Sequence, residues 1–255
     1  MVISFYSYKG GTGRSLTLLN TAAILCESGK RVGVVDMDVE SAGLHHILGL
    51  EPKDNEGLLD LLLGGNVPFV EKICIDVVGK LGENWKERGF QPKGAFYLLP
   101  TISDVVKLGR LNWTEYTITL LETILDYFAK IFELELILID SRTGFSPSGE
   151  NALRLADKVV LVFRLNRQNI YGVKKLAKGY EAAGIPFFLV ASCVPEIEEK
   201  NKYIVQYQKE LGRSVDAILP YDQNLAFEEK ISAIVFPNSE LSKELRRLAD
   251  LVAKE

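Results

Sequence analysis

Short apolar runs alternate with longer amphipathic stretches along nearly the whole chain of 255 residues. Two of the runs, "LELILID" ending at Asp140 and "KVVLVF" starting at Lys158, are apolar at almost every position. Strands have this pattern when helices cover both faces of a parallel sheet. We therefore predict an α/β fold with a doubly wound, mostly parallel sheet and helices on both faces.

The predicted elements follow each other in regular order. Seven apolar runs are predicted to be strands, at residues 2–8, 31–36, 95–99, 134–140, 158–164, 186–193 and 215–219. Five amphipathic stretches are predicted to be helices, at residues 15–28, 113–132, 168–183, 199–211 and 239–254. Residues from about 51 to 94 break the alternation. We expect them to form a helical and loop elaboration, packed on one side of a single domain that spans residues 1–255.

Composition limits the classes of protein to which the chain can belong. The net charge of −4 argues against a chain built mainly to coat nucleic acid, so DNA is a partner that the charge does not indicate. Cys26, Cys74 and Cys193 form no C-x-x-C pair, which favours free thiols in a reducing compartment. No apolar run approaches the roughly 20 residues that cross a bilayer, and the first residues do not match a signal peptide. We expect a cytoplasmic protein.

The segment "KGGTGRS", Lys9 to Ser15, lies between the first predicted strand and the first predicted helix. Its glycines, Gly10, Gly11 and Gly13, allow backbone N–H groups to point at phosphate groups, and the following helix adds the positive end of its dipole. Ser15 is placed to give its hydroxyl to Mg²⁺. The alternative is a tight turn without a ligand, but the strand before it and the helix after it favour a phosphate loop.

Three aspartates stand at or near the ends of predicted strands. Asp36 ends the second run, Asp38 follows on the same face of the extended chain, and Asp140 ends the run "LELILID". Ligands of doubly wound sheets lie beyond the carboxyl ends of the strands, so we expect these carboxylates beside the glycine loop. Carboxylates there hold Mg²⁺ through water and orient an attacking water. The alternative for Asp36 and Asp38 is an ordinary helix cap.

The pattern Lys-Gly-Gly-x-Gly-[Lys/Arg]-[Ser/Thr] resembles the deviant Walker A loop of the ParA/MinD family of ATPases, in the SIMIBI class of P-loop NTPases. Arg14 at the position of the usual lysine is similar to a variant branch whose loop reads K-G-G-x-G-R. The segments "DMDVESAGL", "IDSRTG" and "PYD" follow in the order of that family, and "IDSRTG", Ile139 to Gly144, is similar to its switch segment. The resemblance implies a three-layer α/β/α fold, ATP/ADP and Mg²⁺ as cofactors, and a nucleotide-dependent homodimer.

The resemblance also implies roles for individual residues. The implied catalytic residues are Asp38, Lys9 and Arg14. Asp38 takes part in hydrolysis, Lys9 reaches the nucleotide of the partner subunit, and Arg14 contacts the phosphates of the nucleotide bound to its own chain. The implied nucleotide-binding residues are Gly10, Gly11, Thr12, Gly13, Arg14, Ser15, Leu16, the switch glycine Gly144, and the base-pocket residues Pro220, Tyr221 and Asp222. The implied metal-binding residues are Ser15, Asp36 and Asp140.

Three features qualify the resemblance. Ser192 and Cys193 stand where many relatives have Asn-Arg, so recognition of the base departs from the family. No [NT]-K-x-D guanine pattern occurs, which favours ATP over GTP. Arg142, in the predicted switch, is expected either to contact phosphate, in its own subunit or in the partner's, or to be solvated or salt-bridged.

The planar guanidinium of Arg14 attracts triphosphate but cannot take the place of a compact lysine ammonium. We therefore expect ATP binding with slow hydrolysis. The predicted function is a dimerisation switch with an unidentified protein partner, in DNA or plasmid partitioning or in intracellular positioning. Two alternatives stay open: a nucleotide-binding scaffold without turnover, and a metabolic ATP-dependent synthetase on the same fold.

The last predicted helix carries leucines at helical spacing, a pattern more typical of core packing than of a membrane-binding helix. It also contributes to a small basic patch, which is more typical of a solvated face than of a DNA-binding site. The leucines are Leu241, Leu245, Leu248 and Leu251, and the basic residues, with one neighbour outside the helix, are Arg213, Lys243, Arg246 and Arg247.

Overall fold

One mostly parallel sheet runs through the centre of the protein in the computed structural model, which describes residues 1–225 and 229–254. Within those residues the strand order is β3-β4-β2-β5-β1-β6-β7-β8, and every neighbouring pair is parallel except β3 with β4. The predicted doubly wound α/β fold is confirmed. The strands are β1 (Val2–Tyr6), β2 (Arg31–Asp36), β3 (Ile75–Asp76), β4 (Ala95–Leu99), β5 (Leu136–Asp140), β6 (Lys158–Phe163), β7 (Phe187–Val194) and β8 (Ala217–Pro220).

Helices cover both faces of this sheet. The five predicted long helices are all present, with ends that differ from the prediction by two residues or fewer. The helices are α1 (Arg14–Glu27), α2 (Leu44–Leu48), α3 (Leu58–Gly64), α4 (Val70–Ile73), α5 (Val77–Glu87), α6 (Val105–Leu108), α7 (Glu115–Ile131), α8 (Pro147–Arg154), α9 (Arg167–Ala183), α10 (Lys200–Leu211), α11 (Ser232–Val235) and α12 (Glu240–Val252).

Alternate residues of each central strand enter different cores, because successive side chains of a strand point to opposite faces. In β5, Leu138 packs with α1, α5 and α12 on one face, while Ile139 packs with α3, α4 and α7 on the other. In β6, Val160 joins the first core and Leu161 packs with α9 on the second face. Full burial of every residue of β5 explains why its sequence is a continuous apolar run rather than an alternating one.

The elaboration at residues 51–94 differs from the sequence expectation of packing on one side. Val77 and Trp85 of α5 pack in the core of α1, whereas Leu58 of α3 and Val70 of α4 pack with α7 on the opposite face. Between them the two-residue strand β3 pairs antiparallel with β4 at one end of the sheet order. So short a strand, with only Ile75 buried, has no periodicity that a sequence pattern can reveal.

The C-terminal helix α12 packs as the leucine stripe predicts. Leu245, Leu248 and Val252 are buried in the core shared with α1. The basic patch is matched by carboxylates, since Arg246 pairs with Glu27 and the other three cations also lie in ion pairs: Lys243 with Glu240, Arg247 with Glu244, and Arg213 with Glu181 and Asp216. Across the described residues, none of the helices combines the length and the apolar character needed to cross a membrane.

Candidate functional site

The glycine loop joins the end of β1 to the start of α1, at the carboxyl edge of the sheet. Gly11 and Gly13 have positive φ angles of 68° and 77°, in the left-handed region that glycine adopts without strain. Gly13 is the N-cap residue of α1, and no side chain caps that end. By contrast, side chains cap the N-termini of α7, α9 and α12. Among the described residues, no side chain therefore caps the first N–H groups of α1, which leaves them available to an anion.

The strand order brings two of the predicted carboxylates together beside this loop. β5 lies between β1 and β2, and Asp36 is the register partner of Asp140 across the parallel pair β2–β5. Asp140 is also the register partner of Phe5, just before the loop. Both aspartates are almost completely buried. Residues more than a hundred positions apart in sequence thus meet under the glycine loop.

Arg14 is held by two of the three aspartates rather than facing solvent. Its Nε donates a hydrogen bond of 2.5 Å to Oδ1 of Asp140. One of its terminal nitrogens lies 3.6 Å from Oδ2 of Asp38 and 3.5 Å from Oγ of Ser15. Only 7% of the arginine surface is exposed. Its other terminal nitrogen, Nη1, is buried without a hydrogen-bond partner among the described residues.

Ser15 and Asp140 are joined directly, as a shared metal site would require. The hydroxyl of Ser15 donates to Oδ2 of Asp140 at 2.6 Å. No group of three or more His, Cys, Asp or Glu side chains within residues 1–225 and 229–254 is arranged to hold a metal ion. Mg²⁺ is usually bound by one or two carboxylates together with substrate phosphates and water, and a hydroxyl beside a carboxylate fits that kind of site.

Asp36 is bound mainly by backbone groups. Its carboxylate accepts N–H hydrogen bonds from Asp38 at 3.2 Å, Gly43 at 3.1 Å and Leu44 at 3.2 Å. Burial and the nearby charge of Asp140 raise the pKa of Asp36 to about 8, although the three N–H donors act in the opposite direction. Asp36 therefore shapes the turn after β2 and lies behind Asp38. The sequence analysis predicts that Asp36 is a metal-binding residue, and this role stays a prediction.

Asp38 lies at the surface of this cluster, with 9% of its surface exposed. Its Oδ1 accepts hydrogen bonds from the backbone N–H of Ser41 at 3.2 Å and from the Ser41 hydroxyl at 3.1 Å. Its Oδ2 faces Arg14. Asp38 thus stands in a turn that fixes its carboxylate beside the loop, and it is the more accessible partner of the predicted acidic pair.

The predicted switch segment is engaged with its own chain. Gly144 has a positive φ of 71°, and its N–H donates to the Ser7 carbonyl at 3.1 Å, so it is not free to meet a γ-phosphate in this structure. The Gly144 carbonyl accepts a hydrogen bond from the Tyr6 hydroxyl. Arg142 forms a salt bridge with Glu40 of the same chain, and a contact of Arg142 with phosphate stays a prediction.

Lys9 is exposed at the start of the loop, 5.6 Å above the ring of Tyr8. That ring lies against Gly172 of α9, where a Cβ atom would overlap it, and edge-on to Phe145, which is 68% exposed. Tyr171, one helix position from Gly172, is 58% exposed. Lys9 therefore stands on a partly apolar surface that the loop, the switch and α9 share.

A cavity of about 650 Å³ opens beside the loop. Gly11, Thr12, Gly13 and Leu16 line one part, and Pro220, Tyr221 and Asp222 after β8 line another. The cavity thus joins part of the predicted phosphate loop to the predicted base residues, whereas Gly10, Arg14, Ser15 and Gly144 are not among the described residues that line it. Sequence reasoning had not assigned to this space Asn20, Arg164 and Glu229, nor the helix α12 residues Leu241 and Leu245. Arg164 directly follows β6, so inspecting the residue after each strand finds it.

The pair Ser192–Cys193, where the resemblance implies a departure from the family pattern, contacts the underside of the loop. The buried Ser192 hydroxyl lies 2.6 Å from the Thr12 carbonyl and 3.1 Å from the Phe163 carbonyl. Cys193 lines the cavity, and its Sγ lies 3.7 Å from where a Cβ of Gly13 would be. The departure therefore falls at the wall of the cavity next to the phosphate loop.

Comparison with known proteins agrees with this architecture. A family model described as an AAA domain matches residues 1–183. The chain belongs to this family. An uncharacterized ATP-binding protein of Methanocaldococcus jannaschii is 25% identical over 268 residues, which cover 99% of this chain and 88% of the relative. The septum site-determining protein MinD of Helicobacter pylori is 29% identical over 162 residues, covering 64% of this chain and 52% of the relative.

The fold has close counterparts among solved structures of the same group. The septum site-determining protein MinD from Pyrococcus horikoshii OT3, complexed with Mg-ADP, superposes with a TM-score of 0.77. Its sequence is 21% identical, and the match covers 99% of this chain and 96% of that one. The predicted ParA/MinD-like P-loop ATPase is thereby confirmed at the level of family and three-layer fold. The meaning of the K-G-G-x-G-R loop variant stays a prediction.

Proposed function

We propose that this chain is a single P-loop domain that binds ATP with Mg²⁺, hydrolyses ATP slowly, and pairs with a second copy while ATP is bound. The observation that carries this proposal is the contact of Arg14 with Asp38 and Asp140, and of Ser15 with Asp140, at the end of the glycine loop. The loop N–H groups supply an anion site, and the hydroxyl and carboxylates supply a magnesium site. MinD of Pyrococcus horikoshii, which shares the fold, was solved with Mg-ADP.

In this proposal the residues have separate roles. The N–H groups of residues 10–16 and the guanidinium of Arg14 bind the β- and γ-phosphates, where they stabilise the charge that develops during phosphoryl transfer. Ser15 and Asp140 would hold Mg²⁺, which would neutralise phosphate charge, and Asp36 would contribute to the same site through a water. Asp38, held by Ser41, orients the attacking water.

The cavity beside the loop suits the nucleoside. We propose that the base enters between the segment containing Pro220, Tyr221 and Asp222 and the wall containing Cys193. Gly144 reaches the γ-phosphate only after its N–H leaves the Ser7 carbonyl, so nucleotide binding and movement of the switch segment are coupled. Breaking one backbone hydrogen bond costs about 1 kcal/mol, an amount that a contact to a charged oxygen offsets.

Slow turnover follows from the geometry of Arg14. Its planar fork is longer than a lysine ammonium, and a displacement of about 1 Å in a reacting group can cost on the order of 100-fold in rate. We propose a turnover well below about 10 s⁻¹, the median for enzymes. A slow cycle suits a cytoplasmic switch that acts with a protein partner in DNA or plasmid partitioning or in intracellular positioning.

Phosphate release with Asp38→Ala tests the hydrolytic role. We expect the variant to bind a fluorescent ATP analogue like wild type but to lose hydrolysis, whereas Asp126→Ala, on the exposed face of α7, keeps both. A wild-type protein that binds ATP but releases no phosphate would make the chain a nucleotide-binding scaffold. Fast release, above about 10 s⁻¹, would favour a metabolic synthetase and contradict the proposed switch.

A further inference from the structure

The carboxylates of the proposed magnesium site are engaged with a cation from the chain itself. Both oxygens of Asp140 accept hydrogen bonds, one from Arg14 Nε at 2.5 Å and one from the Ser15 hydroxyl at 2.6 Å. In Asp38, one oxygen accepts from Ser41 and the other faces Arg14. The guanidinium thus bridges the metal carboxylate and the carboxylate proposed for hydrolysis.

This bridge has a clear electrostatic cause. Asp36, Asp38 and Asp140 form a buried cluster in which like charges repel and solvation by water is lost. Arg14 supplies the positive charge that such a cluster needs. Burial lowers the pKa of Arg14, but Asp140, and after it Asp38, raise it by more, so the guanidinium stays charged. A magnesium ion would meet the same need at the same oxygens, so the guanidinium and the ion exclude each other.

The bridge leaves part of the arginine unsatisfied. Nη1 is buried and has no hydrogen-bond partner in the part of the chain that the structure describes. An unpaired buried donor of a charged group is unfavourable, and phosphate oxygens bind arginine through two parallel N–H groups. The guanidinium therefore has one good partner in Asp140 and an unfilled capacity that a triphosphate at the adjoining loop would fill.

We propose that Arg14 is the resident cation of the magnesium site in the nucleotide-free protein, and that it must move from Asp38 and Asp140 to phosphate before the site holds Mg²⁺. This inference rests on the proposed function of the loop, and it adds the order in which nucleotide and metal bind. Nucleotide arrives first or together with the metal, and free Mg²⁺ does not occupy the site. Asp38, once released by Arg14, is free to orient water only when a triphosphate is present.

Binding of Mn²⁺, a paramagnetic substitute for Mg²⁺, to the nucleotide-free protein tests this order. We would measure it by electron paramagnetic resonance for wild type, Arg14→Gln and Arg14→Lys. Arg246→Gln is the control, since Arg246 pairs with Glu27 away from the loop. We expect Arg14→Gln to bind Mn²⁺ at least about tenfold more tightly than wild type and the control. Arg14→Lys keeps the charge but offers a single nitrogen, so its affinity should lie between the two.

The outcomes separate this inference from the proposed function. Mn²⁺ affinities of wild type and Arg14→Gln within about threefold of each other would overturn the inference, as would the lack of Mn²⁺ binding to both. Where Arg14→Gln folds poorly, the shift of its unfolding temperature with Mn²⁺ gives the same comparison, and the predicted stabilisation is absent in wild type. Failure of wild type to bind ATP, measured separately, would overturn the proposed function instead.

Discussion

Arg14 Nε and Asp140 Oδ1 are 2.5 Å apart, and this buried contact joins the loop after β1 to the end of β5. Loss of one member of a buried ion pair leaves the other charge without compensation and typically costs about 3–5 kcal/mol. We therefore expect Arg14→Gln to lower the free energy of unfolding of the nucleotide-free protein by about 3 kcal/mol or more, measured by urea denaturation.

The matched control for that loss is Arg246→Gln. The side chains of Arg246 and Glu27 are 36% and 23% exposed, so solvent screens their attraction. We expect a loss of less than about 1 kcal/mol. An Arg14→Gln protein as stable as wild type would show that the acidic cluster does not need the guanidinium.

Gly172 and Gly179, both in helix α9, differ in what a methyl group would meet. At Gly172 a Cβ would overlap the ring of Tyr8, whereas at Gly179 the described residues place no atom within 4 Å of the Cβ, apart from the neighbouring backbone of the helix itself. We expect Gly172→Ala to destabilise the protein by about 1–3 kcal/mol through overpacking. Gly179→Ala should stabilise it by up to about 1 kcal/mol, since alanine is the better helix former.

The same two variants distinguish an effect on stability from an effect on the nucleotide-dependent association of two copies. Because Tyr8 precedes Lys9, displacement of its ring should also weaken nucleotide-dependent association in Gly172→Ala but not in Gly179→Ala. Thermal unfolding and solution sizing would measure the two effects. Equal behaviour of the two variants would show that the Tyr8–Gly172 contact does not position the loop.

Cys193 provides a chemical probe of the cavity. It lines the space beside Gly13, whereas burial raises the thiol pKa of Cys26 to about 11 and that of Cys74 further still. Since the thiolate is the reactive form, a maleimide at neutral pH should label Cys193 first. We expect ATP with Mg²⁺ to slow this labelling. Mass spectrometry would measure the labelling rate, with Cys193→Ser as the control. Labelling unaffected by nucleotide would place the base elsewhere.

Much of this architecture could be predicted because its signals are local. Runs such as the one ending at Asp140 are continuous and apolar since both faces of their strands are covered, and the loop glycines precede a clear helical pattern. The two-residue strand β3 and the split of residues 51–94 between the faces could not be predicted, because tertiary packing rather than periodicity determines them.

The candidate site likewise has features that the sequence predicts and features that it does not. The identities of Arg14, Asp38 and Asp140 follow from motifs, but their mutual ion pairs depend on strands that meet only in the folded sheet. Arg142 pairing with Glu40, and Gly144 donating to Ser7, are likewise long-range or turn contacts without a sequence signature. The sequence therefore predicts which residues form this site. It does not predict the hydrogen bonds and ion pairs that these residues make in the absence of nucleotide.

We propose that ATP controls the association of two copies of this chain through Lys9. Analytical ultracentrifugation with ATP·Mg²⁺, with ADP and without nucleotide tests it most directly, using Asp38→Ala to keep ATP intact and Lys9→Ala as the comparison. We expect a dimer for Asp38→Ala with ATP, a monomer with ADP, and a monomer under all conditions once Lys9→Ala is added. An association state that does not change with nucleotide, or that survives Lys9→Ala, would contradict it.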